Sequence, residues 1–150
     1  MYIISSCLMG NNCKYNGGNN RCQWIIDFVR DKSIVEICPE ELGGLPTPRP
    51  PTEQVGNSVM NKEGRDVTLE FQLGARRGYE IATAVAEKSG DKIEGAILKA
   101  KSPSCGCCEI YDGSFSGTVV EGDGYFAKIL KEQGIRVMTE TDEISLTSIE

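Results

Sequence analysis

Histidine is absent from all 150 residues. Without imidazole, any metal the chain holds falls to thiols and carboxylates. An excess of positive charge is missing too: 16 Lys and Arg stand against 22 Asp and Glu, a formal net charge of -6. Surfaces that follow phosphates are normally basic, so long nucleic acid is excluded as the expected partner. No apolar run approaches the roughly 20 residues that span a bilayer, and the start, MYIISSCLMG, has no basic n-region. The chain is therefore expected to be cytoplasmic and to have no membrane partner. No internal repeat, low-complexity tract or composition shift marks a second domain. At a length usual for one domain, residues 1–150 are read as a single unit.

What the sequence does have is cysteine. Cys7, Cys13, Cys22, Cys38, Cys105, Cys107 and Cys108 make an odd number, and a reducing compartment disfavours structural disulfides. Metal binding, catalysis or plain burial must account for them.

Alternating elements place these residues. YIISSC and IVEIC are short apolar, β-rich runs that each end in a cysteine. Between them NNRCQWIIDFVRD predicts a helix with Asn20 as its N-cap and Cys22 inside it. A Gly-rich hairpin-like segment leads to the longest helix, VTLEFQLGARRGYEIATAVAEKSG. Phe71, Ala75, Gly78, Ala82 and Val85 line one of its faces, and Gly90 is its stop. EGAILKAKS predicts a strand, and DGYFAKILKEQG a helix capped by Asp123 and ended by Gly134. IRVMTE predicts a last strand, and DEISLTSIE a short helix or frayed tail. GGLPTPRPPTE reads as a stiff loop, because each proline restricts the residue before it to extended conformations. This alternation, with right-handed crossovers, gives an α/β fold: a single-domain, three-layer, doubly wound sheet. It is mainly parallel, with about four core strands and an added hairpin.

In such a sheet every strand delivers its following loop to one edge. Cys7 ends the first strand, Cys38 the second, and KSPSC carries the chain beyond the third to Cys105. Grouped thiolates without histidine point to iron–sulfur, zinc or copper(I). Structural zinc typically uses two paired knuckles, whereas only Cys105 and Cys108 have C-x2-C spacing here. Three ligands from separate loops suit a cubane cluster with one iron left open as a Lewis acid. Around it stand Glu40 in CPE, Ser102, Ser104 and the turn-rich GNNCKYNGG.

SSCLMGNNCKYNGG, CPEELGGLPTPRPPTE, GRDVT, GAILKAKSPSCG and IYDGSFSG, in this order, resemble the thiouracil desulfidase family, long catalogued as a domain of unknown function. The resemblance runs from about Ile4 to Glu140. It implies a 4Fe-4S cluster with three cysteine ligands, Cys7, Cys38 and Cys105, and one open iron. It also implies non-redox, hydrolytic removal of sulfur from a small thiolated pyrimidine, giving the oxo-base and sulfide. Glu40 is then the acid–base group that activates water, and Ser102 assists in positioning the base. A carboxylate is the ordinary candidate for proton transfer in a chain without histidine. The sequence has CGCC where most of the family has one cysteine.

Blander readings stand beside these. Cys13 can be a ligand, a sulfur relay or a packing residue, and Cys22 reads as a small buried hydrophobe. Arg49, wedged among prolines, can hold a carboxylate or face the site, and a structural fork to backbone or to Glu53 is the expected role. DGSFSG reads as a hairpin turn without chemistry. Two other functions fit the same thiols: a metal-free persulfide relay involving Cys107 and Cys108, and a non-catalytic zinc-binding domain.

Overall fold

The structure, a computed structural model, describes residues 1–142. Four parallel strands form the central sheet: β1 (Tyr2–Ser5), β2 (Ile34–Ile37), β5 (Gly95–Leu98) and β8 (Val137–Thr139), in the order β2-β1-β5-β8. Strand order reverses beside β1, since the chain first steps outward to β2 and then crosses back to β5. That makes the carboxyl ends of β1 and β5 the natural ligand crevice.

The side-chain alternation of a strand explains the layers. Ile3 and Ile4, both wholly buried, point to opposite faces of β1. Ile3 joins Ile37, Ala96 and Leu98 under two helices, α3 (Thr68–Ser89) and α4 (Tyr125–Glu132), which contribute Ala75, Ala82, Phe126 and Leu130. Ile4 joins Ile97 and Met138 on the other face, covered by Leu8, Ile25 and Val29 around α1 (Gln23–Phe28). At roughly 1.5–3 kcal/mol for each large side chain fully buried, these two layers are the main stabilising contribution.

Two antiparallel hairpins are added to this core, where the sequence suggested one. They are β3 (Thr52–Val55) with β4 (Ser58–Asn61), and β6 (Glu109–Tyr111) with β7 (Val119–Glu121). DGSFSG lies in the connection of the second, as expected of a turn.

Several local expectations are corrected. Helix α1 starts two residues later than the Asn20 cap implies: Cys22 is its N-cap, and Asn20 instead donates its side-chain amide to Cys7 Sγ at 3.4 Å. On α3 the apolar stripe runs through Ala86, while Val85 is 36% exposed. The cap of α4 is Gly124 rather than Asp123, because the Asp123 carboxylate accepts from the Cys108 N–H and from Lys131. Gly90, with φ +69, ends α3 in the left-handed conformation that favours glycine. At the end of the described chain Glu140–Asp142 form a 3-10 turn. The rest of the segment DEISLTSIE, residues 143–150, lies outside the described residues. Among the described residues, no helix is long and apolar enough to cross a membrane.

Candidate active site

Strand β1 stops at Ser5 because the chain turns into a 3-10 helix, Ser6–Met9, which carries Cys7 and closes on Gly10 at φ +99. Strand β2 runs directly into Cys38, the N-cap of the short helix α2 (Pro39–Leu42), with proline at its first position. Strand β5 leads through Ala100 to a tight turn in which Ser102 Oγ accepts the N–H groups of Ser104 and Cys105, each at 3.1 Å. The three strand ends thus set Cys7, Cys38 and Cys105 around one cavity of about 450 Å³. Glu40, Ser102, Ser104, Arg49 and Lys99 line the same cavity.

The thiols occupy different electrostatic settings. Cys105 is 4% exposed, and burial pushes its thiol far up, against smaller opposing contributions from the Ser5 and Ser104 hydroxyls. Burial also raises Cys7, with the Asn20 amide opposing it. Cys38 is pulled below the usual thiol value, chiefly by the neighbouring Cys13 thiol, which is itself raised, and Cys38 Sγ lies 3.8 Å from the Cys13 carbonyl oxygen. The buried Cys13 therefore belongs to the site as a close neighbour of Cys38. Cys22 stays outside it, half-buried against the α1 layer.

Glu40 is held on both oxygens. Arg49 Nε donates to Oε1 at 3.1 Å, and Ser104 Oγ donates to Oε2 at 2.9 Å. The Arg49 guanidinium forks to backbone as expected, on Pro46 O and Cys13 O, and also meets Thr47 Oγ1, while its carboxylate partner is Glu40 and not Glu53. Glu53 lines the same cavity but is engaged elsewhere, accepting the N–H groups of Gly113 and Phe115 at 2.9 and 3.1 Å. Ser102 lies one step further from Glu40, with its hydroxyl 2.9 Å from that of Ser104. A hydroxyl relay therefore runs Ser102–Ser104–Glu40, and Ser104 also lies 3.8 Å from Cys105 Sγ.

Sequence reasoning missed the outer wall of the cavity. Tyr15, Tyr111, Phe115 and Gly117 line it, the last three from the β6–β7 hairpin. Phe115 has φ +56, a conformation L side chains rarely adopt, and the buried Glu53 carboxylate fixes it by accepting its N–H. The positive φ has no sequence signature, but glycines on either side of Phe115 were a hint that this turn is tightly constrained.

Spacing bears on what the thiols can hold. Among the described residues, the donor group that closes to within 4.8 Å of one another is Cys107, Cys108 and Asp123, away from this cavity. Cys7, Cys38 and Cys105 stand further apart, with room for a group larger than one ion. Soft donors around a half-open cavity, with Arg49 and Lys99 as positive neighbours, fit an anionic iron–sulfur cluster.

Comparison with known proteins agrees. A family model described as 2-thiouracil desulfurase matches residues 2–142. The uncharacterized protein YbbK of Bacillus subtilis (strain 168) is 37% identical over 152 residues, covering 95% of this chain and 97% of its own. A solved structure of TudS, a 4Fe-4S-dependent thiouracil desulfidase, matches with a TM-score of 0.83 at 37% identity, over 99% of this chain and 95% of that one.

Proposed function

The chain belongs to the 2-thiouracil desulfurase family, enzymes that act on carbon–sulfur bonds, and from that premise we propose that it hydrolyses thiouracil-like bases to the oxo-base and sulfide. The whole chain serves as one domain for this reaction. Cys7, Cys38 and Cys105 are the residues that would hold a 4Fe-4S cluster. When bound, the cluster supplies an iron without a protein ligand, a Lewis acid for the substrate's sulfur. The observation that carries the reading is the arrival of these three thiols at one cavity beside a doubly held carboxylate.

The chain's own residues account for the rest. The thiobase enters between the cysteine edge and the wall made by Tyr111 and Phe115, whose rings offer flat surfaces to a pyrimidine. Glu40 takes a proton from water as its oxygen bonds to the ring carbon, and returns it to the departing sulfur. Carbon keeps its oxidation state: one C=S becomes C=O, and both protons of water leave with sulfide. Arg49 keeps Glu40 aimed and compensates its charge, while Ser104, backed by Ser102, orients the second carboxylate oxygen. The burial of the Arg49 and Glu40 side chains strengthens the interaction between them.

Anaerobic purification followed by iron and sulfide analysis, with a panel of thiouracils assayed for sulfide release, tests the proposal. Cluster-level iron together with stoichiometric sulfide and oxo-base is the expected result. Full activity without iron would replace it with the persulfide route, and zinc in the thiol site without activity would replace it with a structural role.

A further inference from the structure

Cys107 and Cys108 lie outside the cavity, and neither is used in the reaction above. Successive residues of an extended chain point to opposite sides. Here they do not: Cys108 has φ +77, and the two sulfurs come to 3.1 Å from each other. The unusual backbone is held from both ends, by the Cys108 N–H to Asp123 Oδ1 at 2.9 Å and by the Gly122 N–H to the Cys108 carbonyl at 3.1 Å. Lys131 on α4 donates to the same Asp123 oxygen at 2.9 Å, and its ammonium stands 3.8 Å from Cys108 Sγ. Cys108 is exposed and Cys107 half-buried behind it. An outer thiol beside a cation, with a second thiol in contact, is the arrangement of an attacking and a resolving cysteine.

The same donor set could be read as a cation site, but Lys131 already stands beside both Asp123 and Cys108. We infer that Cys107 and Cys108 form a redox-active vicinal pair that reacts with small disulfides. The Cys108 thiolate attacks one sulfur of the disulfide, forms a mixed disulfide and releases the first thiolate. Cys107, losing its proton, attacks the Cys108 sulfur and releases the second. Two protein thiols thereby lose two electrons and two protons, and the small disulfide becomes two thiols. Neighbouring residues keep their Cα atoms about 3.8 Å apart, below the roughly 4.4–6.8 Å of ordinary disulfides, so the ring is strained and a dithiol reopens it readily.

The change stays local. Gly106, between the pair and Cys105, has no room to shift: a Cβ there would stand 2.7 Å from Ser102 O and 2.9 Å from Glu109 O. Its N–H and carbonyl are both engaged, with Ser102 O and the Gly124 N–H. Oxidation of the pair is therefore expected to leave Cys105 and whatever it holds in place.

The test treats cluster-loaded enzyme, kept anaerobic, with oxidised glutathione, then alkylates it and locates each cysteine by tandem mass spectrometry. The parent should lose two hydrogens across Cys107 and Cys108, escape alkylation there, recover with a dithiol, and keep its visible absorption. Cys107→Ser should stop as a glutathione adduct on Cys108. Cys108→Ser should react about tenfold more slowly, and Lys131→Met should slow adduct formation in the Cys107→Ser background. Circular dichroism confirms that each variant is folded. A parent that remains fully alkylated at both positions, or that stops at the mixed disulfide like Cys107→Ser, overturns the inference.

Discussion

Arg49 and Glu40 form an ion pair, Nε to Oε1 at 3.1 Å, with side chains only 5% and 14% exposed. The pair joins the proline loop to the first turn of α2, so the residue proposed to move protons is fixed by a cation nine positions away. Glu40→Gln keeps shape and hydrogen-bonding reach while removing the base. Iron content should match the parent, and sulfide release should fall by about 10²–10⁴-fold. A turnover equal to the parent's would move water activation to another group.

The partner's loss reads differently. Arg49→Met leaves the Glu40 carboxylate enclosed without its cation and also frees the carbonyls of Cys13 and Pro46. Breaking a buried pair from one side costs about 3–5 kcal/mol, so the urea midpoint should drop well below that of the parent. A midpoint equal to the parent's would show that the pair contributes aim rather than stability.

This network was only half legible in the sequence. The cysteines at strand ends could be read because a parallel sheet sends every following loop to one edge, a consequence of topology alone. Glu40 came with them, being two residues beyond Cys38. Its partner did not, since Arg49 sits in a loop whose path depends on tertiary contacts rather than on any periodic pattern. Ser102 and Ser104 share one turn, and nothing in their spacing says which hydroxyl meets the carboxylate. Glu53, whose carboxylate fixes Phe115 from 62 positions away, had no local signal at all.

Cys13 separates ligand from helper. Its thiol is raised beside Cys38 while that of Cys38 is lowered, and its carbonyl lies 3.8 Å from Cys38 Sγ, the setting of a polar neighbour that serine can imitate. Cys13→Ser should therefore keep near-parent iron, whereas Cys7→Ala, Cys38→Ala and Cys105→Ala should each lose the visible absorption after reconstitution. Iron retained by Cys38→Ala but lost by Cys13→Ser would exchange their assignments.

Asp123 gives a pH-dependent prediction. Burial, which alone would raise its carboxyl, is outweighed by the Cys108 N–H and the Lys131 ammonium, so it lies below the usual value of 3.8. A depressed carboxyl contributes stability above its unfolded value and loses it as pH falls through the folded one. The pair is partly exposed and screened, which limits the ion-pair contribution to about 1 kcal/mol or less. Asp123→Asn should lower the melting temperature slightly at neutral pH and converge with the parent in acid. A deficit that stays constant down to strongly acidic pH would show a packing effect instead.

Gly74 links the fold to the chemistry. On α3 it faces α2 so closely that a Cβ would lie 1.9 Å from Pro39 O and 3.0 Å from Gly43 N. Gly43 returns the contact, since its own Cβ would stand 2.0 Å from Glu70 O. These atoms are backbone, so no side-chain rotation relieves the overlap, and the helices must separate. Helix α2 carries Glu40 and follows Cys38 directly, which makes any such movement a movement of the site. Gly74→Ala, although favourable for helix propensity, should cost about 1–3 kcal/mol in overpacking and lower both iron retention and turnover. Ala84→Ser, at an exposed position of the same helix, should leave all three unchanged. If Gly74→Ala melts with the parent and releases sulfide at the parent rate, the α2–α3 approach does not set the position of Glu40.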